Sequence, residues 1–157
     1  MDGWLKTRAW IDGHRDVFLD LLRIYLGVAL FIKGCVFIRD SGGLVDVVGS
    51  AHVPFAAALV AHYVTIAHLA GGAMLAAGLL TRIAAIVQVP ALAGAILFVH
   101  LKEGLFTKAG TLELTMLVLF LLLLFSVVGG GPLSADARLR ESGPDAAPNG
   151  DGKHARA

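Results

Sequence analysis

Long apolar stretches separated by short polar segments are the main feature of the sequence. Residues 55–80 and 83–101 contain no Asp, Glu, Lys or Arg. Their lengths approach or exceed the roughly 20 apolar residues that cross the hydrocarbon core of a bilayer as a helix. Because only Thr81 and Arg82 separate them, the pattern predicts two transmembrane helices that form an antiparallel hairpin.

Two further apolar stretches, residues 17–37 and 112–128, complete a set of four predicted spans. We therefore expect an all-α protein, a membrane-embedded four-helix bundle with short loops, over residues 17–136. The mixed polar and charged residues 1–16 are typical of a short amphipathic helix on the membrane surface. Residues 137–157, which are rich in Gly, Pro, Asp and Ala, are predicted to be a disordered tail.

The composition agrees with a membrane protein and excludes several functions. Hydrophobic residues make up 57% of the chain and charged residues 16%, whereas charged residues are typically about a quarter of a soluble domain. The net charge of +1 lacks the basic excess that a nucleic-acid partner usually requires. The single cysteine, Cys35, excludes a disulfide or a CxxC redox pair within one chain.

The distribution of basic residues predicts the orientation in the membrane. Eight basic residues lie on the side of the two termini and four on the opposite side, counting Lys33. The eight are Lys6, Arg8, Arg15, Arg82, Arg138, Arg140, Lys153 and Arg156. Basic residues accumulate on the cytoplasmic side of membrane proteins, so both termini are expected in the cytoplasm and the protein in the cell (inner) membrane.

The first predicted span carries three charged residues, Asp20, Arg23 and Lys33. An Arg within a span costs about 2.5–3.5 kcal/mol on insertion scales, so Arg23 is expected to face protein or to reach an interface. Asp20 lies three residues earlier and can pair with it on one helix face. Asp20 and Lys33 themselves are expected at the membrane interfaces.

The hairpin contains residues that a purely lipid-facing helix does not need. His68 falls near the middle of its span and is followed by Gly71 and Gly72. Two interpretations of His68 stay open: a functional group that exchanges protons, or a neutral side chain that is hydrogen-bonded to a neighbouring helix. Pro90 is expected to kink the third span, and Gln88 to bond the backbone groups that Pro90 leaves free.

The depths of these residues suggest one ligand site. Arg23 and His68 are predicted to line a polar pocket that opens toward the cytoplasmic half, with the close approach of helices allowed by Gly27, Gly71 and Gly72. A metal site is not expected. The His and carboxylate residues near the outer ends of the third and fourth spans are better explained by interfacial solvation. They are His100, Glu103 and Glu113.

Three segments together resemble the DoxX family of small four-helix membrane proteins. They are LLRIYLGVALFIKG, HLAGGAMLAAGLLTRIAAIVQVPALAGAILF and ELTMLVLFLLLLFSVVGGGPLSAD. The resemblance covers residues 21–136, and its most specific parts are the Gly-Leu-Leu-Thr-Arg turn and the closing Gly-Pro-Leu-Ser-x-Asp. Five residues match recurrent polar positions of the family: Arg23, His68, Arg82, Ser134 and Asp136. Many members resemble one another in having an acidic residue at the position of His68.

The resemblance implies a role beside redox enzymes, because relatives named with the family are membrane subunits of thiosulfate:quinone oxidoreductase or quinol-oxidase-type systems. The implied cofactor is a quinone, with none bound covalently, and the implied partner is a soluble or membrane oxidoreductase subunit. The protein is not expected to be active alone.

Two other functions remain open beside the redox role. One is a non-enzymatic membrane scaffold or modulator. The other is a small-solute carrier, which is less favoured because a chain this short without inverted repeats would have to act as a homo-oligomer.

Overall fold

The computed structural model describes residues 2–50, 57–100 and 111–141, with side chains in 14–50, 57–99 and 111–139. These residues form helices and turns and contain no β-strand. Within them, four helices are long and apolar enough to cross a membrane, which confirms the all-α membrane bundle. We refer to them in chain order as the first to fourth spans: His14–Arg39, Ala57–Ala77, Thr81–Val99 and Thr111–Val128.

The first span belongs to a longer helix, α1 (Asp2–Arg39). The helix is continuous through residue 16, where the membrane domain was expected to begin, because no proline interrupts it there. A short helix, α2 (Ser41–Ser50), follows at once. The side chain of Asp40 caps it by accepting a hydrogen bond from the N–H of Gly43 at 3.1 Å.

The second span is a composite helix. It consists of α3 (Ala57–Ile66), a π-helical segment (Ala67–Gly71) and α4 (Gly72–Ala77). Gly78, with φ +71°, ends it. The N–H of Leu79 bonds back to the carbonyl of Met74 at 2.9 Å, as in a Schellman cap. The span therefore ends three residues before the expected boundary at Leu80, because a left-handed glycine satisfies the last carbonyls there.

The third span begins at α5 (Thr81–Gly94) and continues into a second π-helical segment (Ala95–His100). Pro90 lies inside α5, which runs on beyond it. The fourth span is α6 (Thr111–Val128). A final helix, α7 (Ala135–Glu141), occupies residues that were expected to be disordered from 137 onward, so that boundary was placed too early. Residues 142–157 lie outside the described part.

Small residues set the distance between the first and second spans. A Cβ atom on Gly72 would lie 2.6 Å from the backbone nitrogen of Phe31 and 2.9 Å from the carbonyl oxygen of Gly27. Both neighbours are backbone atoms that cannot move aside independently. Gly27 and Gly72 thus allow the two helices to pack backbone against backbone. The shared apolar core consists of Leu26, Leu30, Leu75, Ala84, Ala85, Ala91, Leu92, Leu122 and Phe125.

The outward faces of the spans are apolar. The fourth span is the least buried of the four, and its large side chains point away from the bundle. These exposed residues include Leu114, Met116, Leu117, Phe120, Leu123 and Val127. A face of this composition is suited to lipid rather than to water, which supports the interpretation as an integral membrane protein.

Candidate functional site

One end of the bundle contains a group of polar side chains that we call the terminal polar cluster. It consists of Asp20, Arg23, Thr81, Ser134 and Asp136. Asp20, Arg23 and Thr81 are each 1% exposed, and Ser134 is fully buried. Buried polar groups are costly unless they are hydrogen-bonded. The partners of each side chain therefore decide whether the cluster is structural or functional.

Arg23 is held by two kinds of acceptor. Its Nε and Nη2 donate to Oδ1 of Asp20 at 3.2 and 3.0 Å, which confirms the pairing expected from their spacing. Its Nη1 donates to the carbonyl oxygens of Leu75 at 2.6 Å and Ala76 at 3.1 Å. These carbonyls belong to the last turn of α4, which carries the negative end of the helix dipole, and that of Leu75 also accepts the N–H of Gly78 at 3.2 Å. Arg23 therefore caps the second span.

Asp20, which was expected at a membrane interface, is buried among protein groups at one end of the bundle. Its Oδ2 accepts a hydrogen bond from the backbone N–H of Leu133 at 2.8 Å, in the segment that follows the fourth span. The arginine and this amide together satisfy the carboxylate, and this explains why it tolerates burial. Lys33, by contrast, is exposed, and its ammonium lies 5.3 Å from the centre of the Phe37 ring.

Asp136 and Ser134 complete the terminal polar cluster by capping helices. The carboxylate of Asp136 accepts the N–H groups of Leu80 at 2.8 Å and Thr81 at 3.1 Å, at the start of α5. The Oγ of Ser134 accepts the N–H of Ala137 at 3.1 Å and caps α7. Three of the family-matched residues, Arg23, Ser134 and Asp136, thus form one network that ties the ends of the spans together.

His68 lies elsewhere in the bundle. It is 6% exposed, its Nδ1 donates to the carbonyl oxygen of Val64 at 2.8 Å, and its ring packs edge-on against Phe37. Arg23 contacts the same span seven residues further along, about 10 Å away along the helix axis. The structure therefore does not bring Arg23 and His68 into one pocket. The hydrogen bonds of Arg23 to Asp20, Leu75 and Ala76 stabilise the fold.

Gln88 is the polar residue whose importance the sequence did not reveal. Its side chain is fully buried, and neither Nε2 nor Oε1 makes a hydrogen bond with any residue that the structure describes. It was expected to bond backbone groups freed by Pro90, and it does not. A Cβ atom on Gly71 would lie only 3.0 Å from the Nε2 of Gln88. Gly71 therefore makes room for this amide, whereas Gly72 faces the first span.

His68 and Gln88 lie at a similar depth. His68 is three residues before Gly71, about 4–5 Å along the axis, and Gly71 contacts Gln88. Both His68 and Gly71 belong to the π-helical segment of the second span. Such segments are often found at functional sites, because the wider turn shifts side chains from their usual register. We refer to His68, Gly71 and Gln88 together as the interior polar site, in which Gln88 packs against Gly71 and the ring of His68 against Phe37 of the first span.

Metal and thiol chemistry find little support among the described residues. No three His, Cys, Asp or Glu side chains of this part of the chain are grouped as metal ligands would be. The side chain of His100 and all of Glu103 lie outside it. Cys35 is a free, half-buried thiol in the first span.

Comparison with known proteins identifies the family. The DoxX family model matches residues 18–101, more than half of the chain. This range includes Arg23, His68, Arg82 and Gln88 and ends before the fourth span, so Ser134 and Asp136 lie beyond it. No curated protein and no solved structure matches the chain. On the strength of the matched spans, the chain belongs to the DoxX family.

Proposed function

We propose that the protein is a membrane subunit of an oxidoreductase system and that its interior polar site binds a quinone. The observation that carries this proposal is the amide of Gln88, which is fully buried and unbonded among the described residues. An unsatisfied polar group in a protein interior costs about 1–3 kcal/mol. A binding site accepts such a cost when the ligand supplies the missing hydrogen bonds.

A carboxamide suits both forms of a quinone. Its NH₂ group donates to the carbonyl oxygen of the oxidised form, and its oxygen accepts from the hydroxyl of the quinol. His68 offers a further group at similar depth. Its Nδ1 bonds a carbonyl oxygen, which only accepts. Nδ1 therefore carries a proton, and the neutral ring keeps Nε2 as an acceptor. The amide packs directly against Gly71, which has no side chain to obstruct it.

The proposed subunit depends on a partner for its electrons. Reduction of a quinone to a quinol consumes two electrons and two protons, and the sequence has no dithiol or nucleotide-binding motif to supply them. The electrons would come from a soluble or membrane oxidoreductase subunit that docks on this protein. The purified protein alone is therefore expected to show no turnover with a small donor and a quinone.

Replacing Gln88 with leucine is expected to weaken the binding of ubiquinone-1 about fivefold, because the one hydrogen bond that the amide NH₂ group donates to a quinone carbonyl, worth about 0.5–1.5 kcal/mol, is lost. The same change should leave the free energy of unfolding unchanged or raise it, because it removes an unsatisfied buried amide. Binding is measured by calorimetric titration of the protein in nanodiscs, and stability by denaturant titration of the same samples. His68→Gln should fold normally and bind ubiquinone-1 more weakly.

Thr65→Val is the matched control, because the hydroxyl of Thr65 already donates to the carbonyl of Ala61 at 2.8 Å within its own helix. It should bind ubiquinone-1 like the unmodified protein. If Gln88→Leu binds the quinone with unchanged affinity, the interior polar site is structural. The second candidate, a non-enzymatic scaffold, is then the better description.

We also propose that both termini lie in the cytoplasm and that the protein resides in the inner membrane, on the basis of its basic residues. Gly150→Cys, in a Cys35→Ser background, should resist a membrane-impermeant maleimide in intact cells. Gly42→Cys should react, because it belongs to the opposite face and a Cβ atom there meets nothing within 4 Å. Labelling of the cysteine at position 150 in intact cells would contradict this orientation and place the C-terminus outside the cytoplasm.

A further inference from the structure

An open cleft lies beside the terminal polar cluster, between the start of the third span and the segment that follows the fourth. Its volume is about 920 Å³, and its lining includes Thr81, Arg82, Ile83, Val128 and Gly129. We propose that this cleft binds the phosphate group of an anionic phospholipid. The proposal is separate from the quinone site, because neither Gln88 nor His68 lines the cleft.

The side chains of the cleft offer two hydrogen-bond donors without an acceptor. Thr81 is 1% exposed, and its Oγ1 has no hydrogen-bond partner among the described residues. This oxygen lies 3.0 Å from the position of a Cβ atom on Gly130, which also lines the cleft. The exposed Arg82 makes no ion pair with any described residue. Its Nε lies 3.0 Å from the Cβ position of Gly129, so the side chain folds over the glycine segment.

The backbone adds two more donors. The first N–H groups of a helix have no partner within it. In α5, Asp136 accepts those of Leu80 and Thr81. The next helical bond of this turn runs from Ala84 to Leu80, which leaves the N–H groups of Arg82 and Ile83. Donors of this kind, at the positive end of a helix dipole, bind phosphate groups.

Three carboxylates also line the cleft, those of Asp16, Asp20 and Asp136. They do not cancel this preference, because each already has a partner. Asp20 is bonded to Arg23 and to the Leu133 amide. Asp136 is bonded to two amides of α5. Asp16 is exposed and lies 3.9 Å from Arg15. Arg82 is therefore the cation at the cleft that lacks a counter-ion among the described residues, and a phosphate group supplies one.

The surroundings favour a lipid over free phosphate. Large apolar side chains border the cleft and remain exposed: Leu80 by 50%, Ile83 by 54% and Val128 by 46%. They lie where the third span begins and the fourth ends, so they continue into the lipid-facing surface. A phospholipid whose headgroup meets Arg82 places its acyl chains against these side chains. Inorganic phosphate would leave them uncovered. Basic pockets between spans bind anionic headgroups in this way.

The test is a titration of the full chain in detergent with phosphatidylglycerol, with native mass spectrometry to count bound lipids. Phosphatidylcholine and inorganic phosphate are the comparison ligands. Arg82→Gln should weaken the binding of phosphatidylglycerol about fivefold, the effect of one basic residue at an anionic headgroup. Thr81→Val should weaken it about threefold, and Thr81→Ser, which keeps the hydroxyl, should not. Arg39→Gln is the matched control, because Arg39 is exposed at the opposite end of the first span.

The outcomes distinguish lipid binding at the cleft from lipid binding through the general positive charge of the protein surface. Weaker binding of phosphatidylglycerol by Arg82→Gln, with unchanged binding by Arg39→Gln, supports the proposal. Unchanged binding by Arg82→Gln, or an equal loss with Arg39→Gln, overturns it. Inorganic phosphate that displaces the lipid at similar concentration overturns the assignment to a lipid. If Thr81→Val does not fold, Arg82→Gln alone decides, because Arg82 is exposed and makes no ion pair with the described residues.

Discussion

Arg23→Leu is expected to lower the free energy of unfolding by about 3–5 kcal/mol, the usual effect of removing one partner from a buried ion pair. The change leaves the carboxylate of Asp20 buried with only the Leu133 amide as a partner. It also removes the donor for the carbonyl oxygens of Leu75 and Ala76. The Asp20 carboxylate and the Ala76 carbonyl lose charge-assisted hydrogen bonds, whereas the Leu75 carbonyl keeps the N–H of Gly78 at 3.2 Å.

The measurement is unfolding in mixed micelles with increasing dodecyl sulfate, followed by circular dichroism. Arg15→Leu is the matched control. Arg15 approaches Asp16 at 3.9 Å with both side chains largely exposed, and such pairs contribute about 0–1 kcal/mol. If Arg23→Leu is no more destabilising than Arg15→Leu, Arg23 does not hold the bundle together. It would then be available for a ligand, as the sequence alone suggested.

Gly72→Ala is expected to destabilise the protein by about 1–3 kcal/mol, the usual range for overpacking in a close-packed interior. The added methyl group meets backbone atoms of Phe31 and Gly27. To admit it, the whole first span has to move away from the second. Leu26, Leu30 and Leu75 of the shared core would lose contact as the helices separate.

Gly94→Ala is the same chemical change in open space, because a Cβ atom on Gly94 would meet nothing within 4 Å. Alanine is the better helix former by up to about 1 kcal/mol, so this variant is expected to be more stable than the unmodified protein. Both variants are compared in the micelle titration used for Arg23. Opposite signs at the two positions support backbone packing at Gly72. A Gly72→Ala variant as stable as Gly94→Ala would show that the first span can move away from the second without lowering the free energy of unfolding.

Local features of the structure could be predicted from the sequence. The four spans follow from long, mainly apolar stretches, and the pairing of Asp20 with Arg23 follows from a spacing of three residues on one helix. The approach of Gly27 to Gly72 follows from small residues on helices that one loop joins. Each of these inferences needs only the helix period or the thickness of a membrane.

Long-range contacts could not be predicted in this way. The carbonyl of Leu75 is 52 residues from Arg23, and the amide of Leu133 is 113 residues from Asp20. No periodicity specifies such pairs. Depth alone suggested that Arg23 and His68 meet, whereas Arg23 bonds the carbonyl oxygens at the end of the second span. The π-helical segments were missed because a helix that is apolar all round does not show in its sequence where the register widens.

The role of Gln88 was missed through an assumption about proline. Pro90 was expected to free a carbonyl that an amide two residues away would bond. The helix runs through Pro90, and Gln88 instead faces Gly71 on another span. An amide in an uncharged span is the signal that could have identified it, since its hydrogen-bonding groups have to be satisfied somewhere in the bundle.

The hydrogen bonds made by Leu133 and Asp136 have a consequence for biosynthesis. The N-terminus of a nascent chain leaves the ribosome first. The start of α5 therefore emerges about 55 residues before the carboxylate that caps it. Asp20 emerges 113 residues before the Leu133 amide. The nascent protein must therefore insert all four spans before its bundle closes. A chain truncated between the fourth span and Leu133 would keep all four apolar spans but lack the amide that bonds Asp20 and the carboxylate that caps the start of α5.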